Sequence, residues 1–185
     1  MALCLQGPWG YLLGRSLVAS VVTASSIAGP AAQSGMTITA TPGRVDRWPC
    51  RVVAAPTLRE AFEQGWERSK TIRGQCEELA AARAVITLEW VVTDSFSHAK
   101  TAMAVRGGVV VATVRIPPVG ETIVWLAHEL QHVIEKTRGL DVEVEEKRPD
   151  SGVWKTVGGY ETQGATAVSR QVAAELREAR KQRRR

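Results

Sequence analysis

Cysteine is scarce and never closely spaced: the chain has Cys4, Cys50 and Cys76 and no Cys-x-x-Cys pair. That excludes a thiolate zinc knuckle and a thioredoxin-type redox site. No internal repeat is visible. The apolar run at residues 17–27 is too short to span a bilayer. A basic stripe along a folded face is also missing. The formal charge of +5 comes in part from the terminal Lys181-Gln182-Arg183-Arg184-Arg185, so a nucleic-acid partner is disfavoured and rests on that tail alone, which a solvated terminus explains better. Histidine ends early, with His132 the last in the chain.

What is present is the balance of a folded protein, with 44% apolar and 23% charged residues over 185 positions. This length supports one well-buried core rather than two. Six tryptophans supply apolar area with a polar handle and name no ligand. Residues 17–27 follow Arg15 and end in Ser26-Ile27-Ala28, a small-x-small pattern suited to a cleaved secretory leader over residues 1–32. Translation starting at Met36 is the alternative and would make the protein cytoplasmic. Removing the leader leaves Cys50 and Cys76, a pair that an oxidising compartment could join, and no transmembrane anchor.

Residues 33–56 read as a flexible or edge segment, residues 57–180 as one domain and residues 181–185 as a basic tail. From Thr57, an N-cap candidate with Glu60 after it, the apolar residues Leu58, Ala61, Phe62 and Trp66 recur at helical spacing. The spacing predicts a helix to about residue 73, an interruption at Gly74 and a helical stretch over 75–83. Residues 85–92 are β-branched and aromatic and predict a strand. A second β region over 102–116 is broken at Arg106-Gly107-Gly108, where the glycines form either a hairpin turn or a bulge. A helix over 121–137 ends at Arg138 and Gly139, a mixed connection follows, and a last helix spans 160–180. The order predicts an α+β fold with a small sheet beside two long helices.

The helix over 121–137 carries His128-Glu129-Leu130-Gln131-His132. At about 100° per residue the two histidines lie about 40° apart and one turn along, so both imidazoles can reach one ion. Glu129 falls at the flank of that face, where a carboxylate can bond a metal-bound water without ligating the metal. Ile123, Leu126, Ala127, Leu130, Val133 and Ile134 form an apolar arc away from both histidines, which directs them to a cleft or to solvent. Two surface histidines on an ordinary amphipathic helix remain the bland alternative.

The stretch from Trp125 to Ile134, Trp-Leu-Ala-His-Glu-Leu-Gln-His-Val-Ile, resembles the active-site helix of the zincin metallopeptidases. The resemblance implies Zn2+ held by His128 and His132, Glu129 as general base, and a peptide or protein substrate. The metzincin extension with a further His after Gly is absent. The gluzincin arrangement takes a Glu from a following helix, and Glu161 fits it, heading an apolar stripe of Ala165, Val168, Val172, Leu176 and Ala179. The remaining downstream acids, Asp141, Glu143, Glu145, Glu146 and Asp150, lie in a charged connection. Glu161 can also be read as a first-turn glutamate favoured by the helix dipole. Glu135 is a strained alternative ligand, two turns from His128. Tyr160 is a candidate oxyanion donor or an ordinary interfacial residue, and His98 reads as a surface residue. By analogy with zincins, a peptide would add to the strand around 109–115 if that strand forms the sheet edge. The rival function is a non-catalytic secreted zinc-binding or partner-binding module.

Overall fold

Alternation of buried and exposed side chains builds the sheet. The computed structural model describes residues 47–91, 98–118 and 120–185; the leader over 1–32 and the Met36 start lie outside these residues. Four strands form the larger sheet: β1 (Arg51–Ala54), β2 (Val85–Trp90), β3 (Lys100–Arg106) and β4 (Val109–Ile116). Their order is β1-β2-β4-β3, with the first three parallel and β3 antiparallel to β4. Val52, Ile86, Ala112 and Met103 share one row across the sheet, and Leu88, Val114 and Thr101 share the next row on the same face. Val52, Ile86, Leu88, Ala112 and Val114 are buried with Leu58, Phe62, Leu79, Leu126 and Leu130, so the helices cover this face over β1, β2 and β4, while Met103 on β3 stays exposed. The architecture is α+β.

Gly107 and Gly108 both take positive φ, 57° and 78°, and join β3 to β4 as a two-residue hairpin turn rather than a bulge. The sheet edges are therefore β1 and β3 and not the stretch around 109–115, because β4 is paired on both sides.

The first helical region breaks at Ser69, not at Gly74. Helix α1 (Pro56–Arg68) gives way to α2 (Lys70–Ala81), and the Ser69 hydroxyl caps α2 by accepting from the Ile72 N–H at 3.1 Å. Gly74 sits inside α2, where the buried face of Ile72, Cys76 and Leu79 outweighs its propensity cost of about 1 kcal/mol. Thr57 is not the N-cap; its hydroxyl accepts from Trp90 Nε1 at 2.9 Å, and Pro56 opens the helix. A disulfide joins Cys50 to Cys76 on α2 with the Cα atoms 5.1 Å apart. Trp48, Cys50 and Val52 belong to the core, so the folded unit begins ahead of residue 57.

Helix α3 (Thr122–Thr137) carries the histidine motif and packs against β4, α1, α2 and α5 (Gln163–Gln182). It ends as the sequence predicts: Gly139 at φ 86° lets its own N–H reach the Lys136 carbonyl and the Leu140 N–H reach the Glu135 carbonyl, at 3.0 and 2.9 Å. The connection after it is more ordered than expected, with a short helix α4 (Val142–Glu145) and a hairpin of β5 (Val153–Thr156) and β6 (Gly159–Thr162). Helix α5 accordingly starts later than residue 160. Thr162 is its N-cap, accepting from the Ala165 N–H at 2.9 Å. Tyr160 and Glu161 are strand residues, and Lys181 and Gln182 of the basic tail are the last turn of α5.

Candidate metal centre

Helix α3 sets His128 and His132 one turn apart with their ring centroids 4.9 Å apart and their Nε2 atoms 3.2 Å apart. The β5–β6 hairpin then brings in Glu161, whose Oε2 lies 3.1 Å from His128 Nε2 and 3.9 Å from His132 Nε2. Glu161 thus reaches the histidines from a strand and not from the first turn of α5. The inward stripe begins with Ala165, which is buried, and Glu161 is aimed instead by the backbone pairing of β6 with β5. His128, Glu129 and neighbouring residues are more enclosed than a solvent-facing site requires, with His128 only 8% exposed.

The far sides of the two rings fix which nitrogens are available. The Ser169 hydroxyl donates its proton to the Ala165 carbonyl at 3.1 Å, so at 2.9 Å it accepts from His128 Nδ1–H. The Glu135 carboxylate is an acceptor only, so His132 Nδ1–H donates to its Oε2 at 3.2 Å. Each imidazole is left with an Nε2 lone pair, and both lone pairs converge with the Glu161 carboxylate. Three acceptors facing one another with no donor between them repel, and a cation relieves this. Tetrahedral zinc with bonds of about 2.0–2.1 Å places ligand atoms about 3.3–3.4 Å apart. The separations of 3.1, 3.2 and 3.9 Å bracket that value, so the residues fit a zinc ion. The cluster offers an imidazole–imidazole–carboxylate set with no thiolate.

Electrostatics follow the same geometry. Burial pushes His132 down, but its bond to Glu135 and the charges of Glu129, Glu135 and Glu161 more than offset this and hold it above its ordinary value of 6.5. Without metal, a proton is thus favoured where the cation would sit. Burial pushes Glu161 up, yet with protons rather than a cation on the facing nitrogens the hydrogen bond and charge of His128, with the charges of His132 and His98, bring it below the usual 4.5. Burial drives Glu129 above its ordinary value, and its bond to Thr101 and the nearby histidines restore it only in part.

Glu129 is not a member of the ligand cluster. It is buried, and Oε2 accepts from the Thr101 hydroxyl on β3 at 2.6 Å. Glu135 is not a ligand either; it orients His132, and its other oxygen accepts from the Thr162 hydroxyl at 2.8 Å. Gly164 allows this approach, since a Cβ there would lie 2.6 Å from Glu135 Oε1. Tyr160 is the strand neighbour of Glu161 and so points to the other face of the hairpin. His98 is exposed, but it stands at the site: its ring centroid lies 6.0 Å from that of Trp125, which packs edge-on to His128 at 6.4 Å, and its charge acts on Glu161. Sequence reasoning missed Thr101, Thr162 and Ser169. Only Ser169 left a signal, one position beyond Val168 in the inward stripe of α5. No family model, curated protein or solved structure matches the chain.

Proposed function

We propose that the protein is a zinc-dependent hydrolase that cleaves peptide bonds, with zinc held by His128, His132 and Glu161. The observation that carries it is the convergence of two Nε2 lone pairs and a carboxylate oxygen at 3.1–3.9 Å, each ring fixed from behind. A bound zinc supplies Lewis acidity, lowering the pKa of a coordinated water towards about 7 and polarising a carbonyl. Glu129 then takes the proton of the attacking water and passes it to the leaving amine. Its buried, Thr101-bonded carboxylate suits both steps: raised basicity favours taking the proton, and the short bond holds the group in place.

The cluster supplies three protein donors among the described residues, which leaves one tetrahedral position for water. That favours catalysis over a closed structural zinc in a binding module. An extended peptide fits along β3, whose outer edge pairs with no strand among the described residues and whose Thr101 holds Glu129. The Cys50–Cys76 disulfide supports an exported protein. No described helix is long and apolar enough to cross a membrane. Incubating the full chain with a mixed peptide library and reading products by mass spectrometry tests the reading. Cleavage should stop with a chelator and return with zinc; cleavage indifferent to chelation overturns it.

A further inference from the structure

Trp154 stands directly opposite Glu161 in the β5–β6 ladder. Directly opposed residues of an antiparallel pair project from the same face, with Cβ atoms about 4.5–5.5 Å apart. Glu161 reaches His128 Nε2 at 3.1 Å, so the indole projects on the side of the histidines. The fold makes little use of this ring: Trp154 is 43% exposed, whereas Trp48 in the core is 7% exposed. A large apolar surface held open next to a polar cluster is available to a ligand.

The hairpin tip leads to the strand that holds the general base. A Cβ on Gly158 would lie 3.3 Å from Lys100 Cε, and the next residue of β3, Thr101, bonds Glu129. On the same face of β3 as Thr101, Met103 and Val105 continue as an exposed apolar row, 37% and 58% exposed. Two elements that meet at Lys100 therefore present apolar surface beside Glu129 and Glu161. An extended chain added to β3 sends every second side chain to this face.

We infer that Trp154 is a specificity-determining residue, forming the apolar wall that receives a large aliphatic or aromatic side chain of a peptide next to the bond to be cleaved. The inference rests on the peptide hydrolase reading above. An indole face contacts apolar and aromatic side chains over a large area, and it gives a carboxylate side chain no charge partner. Loss of such a wall alters the choice among substrates while leaving the metal and Glu129 untouched.

The test uses the full zinc-loaded chain carrying Glu129→Gln, which should hold peptides without cleaving them. Short peptides differing at one position (Phe, Leu, Ala or Asp) are titrated by fluorescence anisotropy. Phe and Leu peptides should bind about tenfold or more tighter than Ala and Asp peptides, the scale of a filled apolar pocket. Adding Trp154→Ala should reduce that preference to about threefold or less, and Trp154→Phe should keep most of it. Equal binding of all four peptides, no binding at all, or a preference unchanged by Trp154→Ala overturns the inference. The two readings fail separately. Zinc-dependent cleavage whose side-chain preference survives Trp154→Ala overturns this one alone, whereas Trp154-dependent selective binding by a chain that hydrolyses nothing overturns only the hydrolase reading.

Discussion

Glu135 accepts the Nδ1 proton of His132 at 3.2 Å, and this bond decides which nitrogen of His132 faces Glu161. The same carboxylate is held by the Thr162 hydroxyl at 2.8 Å, the residue that also caps α5. Ring orientation at the cluster is thereby coupled to the start of the last helix. A carboxylate behind a ligating imidazole fixes its tautomer and raises its basicity.

Replacing Glu135 by Gln should therefore weaken zinc binding by about 10–100-fold while leaving all three ligands in place. Competition with a chromophoric chelator measures it. Unchanged affinity would mean that His132 is oriented by something else.

Gly164→Ala should act through the same carboxylate. A methyl group 2.6 Å from Glu135 Oε1 forces the carboxylate or the first turn of α5 to move. Zinc affinity should fall by about tenfold or more, with the helical circular dichroism of α5 retained. Wild-type affinity in this variant would show that the first turn adjusts freely.

Glu129→Gln should keep the zinc and lower hydrolysis by about 100-fold or more. It also carries a stability signature in the metal-free protein. Burial raises the folded-state value above 4.5, so the folded chain binds this proton more tightly than the unfolded chain. The stabilisation is complete below about 4.5 and is lost as pH rises through the folded value. At pH 7 the glutamine variant should melt higher than the metal-free wild type, by about 2–4 °C per kcal/mol recovered. Differential scanning calorimetry after chelation decides it, and a lower melting temperature would contradict the stated burial cost.

Acid should release the metal early. His132 is held above 6.5 in the metal-free chain, so protons compete with zinc from above that pH downward. The same shift stabilises the metal-free fold below about 6.5, and this contribution is lost as pH rises through the folded value. The gain in melting temperature on adding zinc should therefore shrink between pH 8 and pH 6. A gain that is constant across that range would remove His132 from the coordination shell.

Much of this was legible in the sequence because it is local. The turn spacing of His128 and His132, the Gly139 cap and the β-branched strands each follow from neighbours within a few residues. Glu161 does lie beside both histidines, but on a strand rather than at the head of the last helix. The β5–β6 hairpin is only four residues per strand, and the helical periodicity from Ala165 onward extends back in sequence to Glu161. Gly158 and Gly159 next to Val153, Trp154 and Thr156 are the turn signal that marks it. The Ser69 break was masked by the more conspicuous Gly74. Thr101 and Ser169 act on the motif helix from β3 and α5, 28 and 41 residues away, distances at which only the fold sets contact.

Metal analysis of the purified full chain bears on the whole account. About one zinc per chain is expected for wild type, close to none for His128→Ala combined with His132→Ala, and a strong loss for Glu161→Ala with Glu143→Ala unaffected. Zinc retained at full occupancy in the double histidine variant, or undiminished in Glu161→Ala, would contradict the assignment of these three residues as its ligands.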